Sequence, residues 1–118
     1  MERVLGIGGF FFAADDPGAL QRWYADHLGV GAPPQTEGDA SWEQQAGETV
    51  FAAAGRDAEH LRGRPYALNF RVADLDAMVT QLRDAGIEVD VDTGDYSYGR
   101  FADLHDPEGN PVQLWQPA

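Results

Sequence analysis

The chain reads as an α+β protein of two βαβββ modules forming a cleft-shaped mixed-sheet barrel. Three observations predict it. A strand-like run, an Asp-capped helix and a glycine stop occur twice, so that Phe12-Ala-Ala-Asp-Asp16 corresponds to Phe70-Arg-Val-Ala-Asp74. After each helix the sequence returns to short alternating segments, about three in each copy. The final segments, Phe101–His105 and Pro111–Trp115, flank the turn-forming run Asp106-Pro-Glu-Gly-Asn110 and make a β-hairpin. One such module covers one face of its sheet with a helix and leaves the other bare. Two modules can turn their bare faces together and enclose a cleft. The expected organisation is a single domain, residues 1–118, with module one at about 3–54, a linker at about 55–65 and module two at about 66–117.

Each element has its own justification. Leu5 to Ala14 is apolar and aromatic and reads as a buried strand, its Gly8-Gly9 marking a bulge or a close backbone approach. Asp16-Pro17 opens a helix, with Asp as N-cap and Pro in the first turn. Leu20, Trp23, Tyr24 and Leu28 form one apolar stripe, and Gly29 stands where a left-handed C-terminal residue is wanted. Residues 31–39, with two prolines, read as a loop. Trp42–Gln45 and Glu48–Ala53 read as strands joined at Ala46-Gly47, and the polar, Arg- and Gly-rich stretch 55–65 as the linker. Tyr66–Val72 then alternates as a strand, and Asp74 caps a helix whose stripe is Leu75, Met78, Val79 and Leu82, ending at Gly86. Ile87–Val91 is a strand, 94–99 a loop, and the hairpin closes the chain.

Composition narrows the function classes. The chain has 118 residues, enough to bury roughly two-thirds of its unfolded surface and fold without metal or disulfide staples. It has no cysteine, which excludes disulfides and thiolate chemistry. Twenty acidic against eight basic residues give a net charge of −12, which argues against nucleic acid as a partner. The acids are scattered through helices and turns as a solvated surface. The start lacks the basic and apolar regions of a signal peptide and no run approaches transmembrane length, so no membrane partner and a cytoplasmic location are expected.

Strand alternation assigns the candidate site. In the hairpin, Ala102, Leu104, Val112 and Leu114 make an apolar face for a helix, while Phe101, Asp103, His105, Gln113 and Trp115 make the other face. In Tyr66–Val72 the residues sent to the cleft are Asn69 and Arg71, and in the first strand they are Gly9, Phe11 and Ala13. Trp42, Tyr96 and Tyr98 are rim or lid candidates. Apolar walls with a few convergent polar groups are the usual composition of a small-molecule site. The candidate ligand-binding residues are thus Phe11, Trp42, Asn69, Arg71, Tyr98, Phe101, Asp103, Gln113 and Trp115. Asp103 is the candidate catalytic group: a carboxylate on an aromatic wall can be raised in pKa by desolvation and act as a general base. Alternatively it pairs with Arg71 or a tyrosine and holds the pocket in shape. Arg71 either clamps a ligand carboxylate or forms a surface ion pair.

The string Asp106-Pro-Glu-Gly-Asn-Pro-Val-Gln-Leu114, together with Tyr24-Ala-Asp-His-Leu-Gly29, Val72-Ala-Asp-Leu-Asp76 and the paired modules, resembles the vicinal oxygen chelate superfamily, which includes glyoxalase I, bleomycin-resistance proteins, fosfomycin-resistance enzymes and extradiol dioxygenases. The resemblance covers nearly the whole chain and implies the fold more strongly than a function, because the superfamily hosts enzymes and pure binders. It also implies a homodimer. The metal ligands of relatives fall on Gly9, near Ala52, on Ala67 and on Gln113, and only Gln113 carries a donor. A divalent site needs about three protein ligands, so no metal and no other cofactor are expected. His27 at a helix end, His60 in the linker and His105 at the turn end of the hairpin offer no obvious replacement set. The resemblance therefore implies a metal-independent protein that binds a small aromatic or amphipathic molecule, of the sequestration or resistance type. The alternative is a lyase or isomerase using Asp103 as base or an atypical metal around Gln113.

Overall fold

A computed structural model describes residues 1–31 and 42–118. Most of the expected loop at 31–39 lies outside the described residues. Two helices, α1 (Pro17–Leu28) and α2 (Leu75–Asp84), accompany four strands, β1 (Leu68–Arg71), β2 (Asp90–Val91), β3 (Gly99–His105) and β4 (Pro111–Pro117). The fold is a small α+β arrangement around one open, mixed sheet of order β1-β4-β3-β2, in which β1 and β4 run parallel and the other neighbours antiparallel. Among the described residues, no helix is long and apolar enough to cross a membrane.

Both helices start as their sequences dictate. The Asp16 carboxylate accepts the Ala19 amide at 3.1 Å and the Asp74 carboxylate the Ala77 amide at 3.0 Å, satisfying amides that have no partner inside a helix. Gln116 of β4 adds a tertiary cap, its side-chain oxygen accepting the Leu75 amide at 2.7 Å. Helix α1 ends at Gly29, whose φ of 69° lets the following Val30 amide turn back onto the Tyr24 carbonyl at 3.1 Å.

The alternation in the strands sets the two faces of the sheet. Leu68 and Phe70 register with Val112 and Leu114, and these with Leu104 and Ala102, so one face is apolar throughout. Leu20 and Tyr24 of α1 and Leu75, Val79 and Leu82 of α2 join it in one buried core, completed by Val89. The opposite face carries Asn69, Arg71, Phe101, Asp103, His105, Gln113 and Trp115.

The turn between β3 and β4 ties this core to α1. Asp106 is 4 % exposed, yet its carboxylate accepts the Tyr24 hydroxyl at 2.6 Å, the Asn110 side-chain amide at 2.7 Å and the Glu108 and Asn110 backbone amides. Every lone-pair direction of the buried charge is thereby used. The Glu108 carboxylate in turn accepts the Asp15 and Asp16 amides at the entrance to α1.

Two expectations need correction. Strands are trimmed relative to their patterns: Tyr66–Val72 contributes only Leu68–Arg71, and Ile87–Val91 only Asp90–Val91. More importantly, a second sheet built from residues 5–14, 42–45 and 48–53 is not present among the described residues, which form one open sheet and no closed barrel. Those segments make no ladder. Their attachment is by side chains: Phe12 packs edge-on against Tyr24, Phe10 against Tyr66, and Arg71 donates to the Gln45 carbonyl at 2.8 Å. Alternation specifies which face a strand buries, but a ladder also needs a partner strand in register, and among the described residues these segments pair with none. Leu5, Phe11, Val50 and Phe51 consequently stay exposed.

Candidate functional site

The bare face of the sheet is ordered in two ranks across its strands. One rank is aromatic and places Arg71, Trp115 and Phe101 side by side on β1, β4 and β3. The other is polar and places Asn69, Gln113, Asp103 and Asp90 side by side on all four strands. Two residues separate the ranks along each strand, about 7 Å.

The aromatic rank continues into the loop before β3. Phe101 and Trp115 lie with ring centroids 6.4 Å apart and planes within 6°. Tyr98 meets Phe101 edge-on at 5.7 Å and stacks on Tyr96 at 5.3 Å, and Tyr96 also reaches Phe101 at 5.9 Å. Four rings therefore make one continuous wall. Its backing is fixed, because the Trp115 indole N–H donates to the Tyr98 carbonyl at 2.8 Å and the residue is only 7 % exposed. The loop itself is shaped by Asp92, whose carboxylate accepts the Gly94 amide at 2.8 Å and the Tyr96 hydroxyl at 2.9 Å. That second bond raises the Tyr96 phenol above its ordinary pKa, through hydrogen bonding to a carboxylate first and its charge second. Gly99 permits the return into β3: its φ is 129°, and a methyl group there would collide with the Gln116 carbonyl oxygen and crowd the Trp115 indole.

The polar rank begins in a hydrogen bond and ends in two neighbouring carboxylates, Asp103 and Asp90. The Asn69 amide donates to Gln113 Oε1 at 2.8 Å, and Gln113 stands directly across the hairpin from Asp103. Arg62 stands 3.5 Å from the Asp103 carboxylate. The Asp103 carboxyl is pushed above its ordinary pKa by burial, which outweighs the opposing Arg62 charge and the Gln113 hydrogen bond. An open concavity of about 600 Å³ adjoins this end of the face, lined by Arg62, Asp103, His105 and the stretch Gly86–Asp90.

The structure thus brings Asn69, Arg71, Tyr98, Phe101, Asp103, Gln113 and Trp115 onto one surface. Phe11 and Trp42 are elsewhere. Phe11 is 95 % exposed, on the side of its segment opposite Phe10 and Phe12, and Trp42 packs against Phe70 at 6.4 Å beside the helix-covered face. The expected partner of Asp103 is also corrected: neither Arg71 nor a tyrosine takes that place. Arg71 turns instead to the Gln45 backbone, and the cation beside Asp103 is Arg62, a linker residue that strand alternation has no means of assigning.

A metal centre of the type implied by the resemblance does not fit these residues. Gly9, Ala52 and Ala67 carry no donor, and the Gln113 oxygen is engaged by Asn69. Among the described residues no three His, Cys, Asp or Glu side chains gather as a ligand set. His27 lies against Trp23, and His105 is at the exposed turn end of β3.

The profile of the Glyoxalase/Bleomycin resistance protein/Dioxygenase superfamily matches residues 6–114. TnmS3, an antibiotic binding protein from Streptomyces sp. CB03234, superposes with a TM-score of 0.51 at 22 % identity, over 89 % of this chain and 88 % of its own. A glyoxalase-family protein from Bacillus anthracis superposes with a TM-score of 0.55 at 19 % identity, over 90 % and 88 %. A glyoxalase/bleomycin resistance protein from Streptomyces sp. CB03234 is 36 % identical, but over 42 % of this chain and 43 % of its own, with a TM-score of 0.38. No curated protein sequence matches the chain.

Proposed function

The chain belongs to the glyoxalase/bleomycin resistance protein/dioxygenase superfamily, and on that premise we propose that it binds a small aromatic or amphipathic molecule on the Phe101–Trp115 wall without a divalent metal, as a sequestering or resistance protein. The observation that carries this reading is the continuous surface of four rings beside a hydrogen-bonded pair of amides and a carboxylate. Rings offer a flat, polarisable contact, and the polar row fixes orientation. The binding of an antibiotic by TnmS3, which shares the fold, supports the same use of it here.

A second copy of this chain covers the exposed apolar segments. Leu5, Phe11, Val50 and Phe51 are exposed on segments whose backbone makes no ladder, and among the described residues β1 is an edge of the sheet. Unpaired apolar strands seek another strand. A two-fold pair satisfies both copies with one set of contacts.

A lyase or isomerase reading draws on one observation, the raised Asp103 carboxyl, which would suit a general base. Its mark would be exchange of a substrate C–H proton with solvent deuterium, abolished by Asp103→Asn.

Native mass spectrometry of the freshly purified protein separates these readings. A dimer that retains an organic molecule and no divalent ion is the expected result. One tightly bound divalent ion per subunit overturns the metal-independent reading.

A further inference from the structure

We propose that Arg62 is an exchangeable counter-ion for Asp103, and that the site selects planar aromatic molecules carrying a cationic nitrogen, which displaces Arg62. The proposal rests on the reading that the wall binds an aromatic ligand, and adds the charge that ligand must carry.

Three features mark the Arg62–Asp103 contact as provisional. At 3.5 Å it is longer than a charge-assisted hydrogen bond of about 2.8 Å. Both side chains keep partial access to water, with 33 % and 25 % of their surfaces exposed. Arg62 also holds a left-handed backbone conformation, φ 53° and ψ 38°, and is the single non-glycine residue with positive φ among the described residues. Such a conformation is strained in a side-chain-bearing residue and concentrates at sites where strain is used. It occurs at the end of the short 3₁₀ turn Glu59–Leu61, which packs beside β4, so a small rearrangement of this turn withdraws the guanidinium.

The polar row is oriented toward the same point. Asn69 donates to Gln113, Gln113 lies beside Asp103, and the rank ends beyond Asp103 in a second carboxylate, Asp90, so this end of the row is acidic. A ligand cation arriving there meets a half-buried carboxylate, with Phe101 one rank away on the same strand. A protonated amine close to a fused ring system matches that spacing of about 7 Å between ranks, and the ring faces attract it further. The overall charge of −12 raises the local concentration of cations.

The test compares proflavine, a planar cation at neutral pH, with acridine, its neutral parent ring, by titration at physiological salt. Wild-type protein is expected to bind proflavine more tightly, on the order of tenfold. Asp103→Asn should abolish the preference while acridine binding persists. Arg62→Gln should tighten proflavine several-fold and leave acridine unchanged. Asp84→Asn removes the same charge from α2, away from the cleft, and should change neither. Equal binding of the two probes, or weaker proflavine binding by Arg62→Gln, overturns the counter-ion proposal and leaves the aromatic reading standing. Proflavine weakened equally by Asp84→Asn and Asp103→Asn also overturns it, as general attraction. Binding of neither probe overturns the aromatic reading itself.

Discussion

Asp103 shows how one residue can be poor for stability and useful for a site. Burial raises its carboxyl above the ordinary value of 3.8, because the ionised form loses water that Arg62 and Gln113 do not fully replace. A carboxyl raised in the folded state favours the protonated form. Its contribution to stability is present below pH 3.8 and is lost as pH rises through the raised folded value. At neutral pH the charge is therefore a cost. Asp103→Asn should raise the unfolding midpoint at pH 7, and the gain should shrink as the pH approaches 3.8. Thermal unfolding across that range checks it, and a variant less stable at every pH would show that the Arg62 pair outweighs burial. The position of Asp103 on the bare face was legible in the sequence, since a period of two admits no other face. Its partner was not. Arg62 reaches it from a linker whose course follows from tertiary packing, and the Tyr24–Asp106 bond, spanning 82 positions, was hidden for the same reason.

At the scale of elements, the wall depends on how β3 leaves its preceding loop. Gly99 is where the chain must pass against the Gln116 carbonyl with φ at 129°, and an added methyl meets backbone on one side and the Trp115 indole on the other. Backbone cannot swing away as the end of a side chain can. Gly99→Ala should cost about 1–3 kcal/mol, measured by denaturant unfolding, and should release the indole from the Tyr98 carbonyl, seen as a red shift of tryptophan emission. An unchanged spectrum would mean that the wall is held by ring packing alone. The helices and the hairpin were readable from sequence because their signals are local: Asp16 and Asp74 at N-caps, Gly29 as a stop, and two alternating runs around Asp106–Asn110. The shortness of β2 was not readable. Ile87 and Val89 are apolar, but they pack toward the helix-covered core without entering the ladder.

For the whole molecule, the expected repeat and the observed sheet part company in the first half. The apolar alternation of residues 5–14 and 48–53 is plain, yet a strand's partner is a property of the assembled fold and leaves no local mark. In one copy of the chain these segments expose Phe11 and Phe51 to 95 % and 92 % of their surface. If a second copy covers them, light scattering should give twice the chain mass of 12.9 kDa, and Phe51→Lys should return the monomer with the core helices intact by circular dichroism. A wild-type monomer at micromolar concentration would contradict covering by a second copy.

On the proposed function, a ligand sits on the Phe101–Trp115 wall. That placement is read most directly in a protein where Trp23→Phe and Trp42→Phe leave Trp115 as the sole tryptophan, titrated with acridine. Saturable quenching of Trp115 emission that Phe101→Ala weakens by on the order of tenfold is the predicted result. Quenching that rises linearly without saturation, or that Phe101→Ala leaves unchanged, would place the ligand elsewhere and contradict binding on this wall.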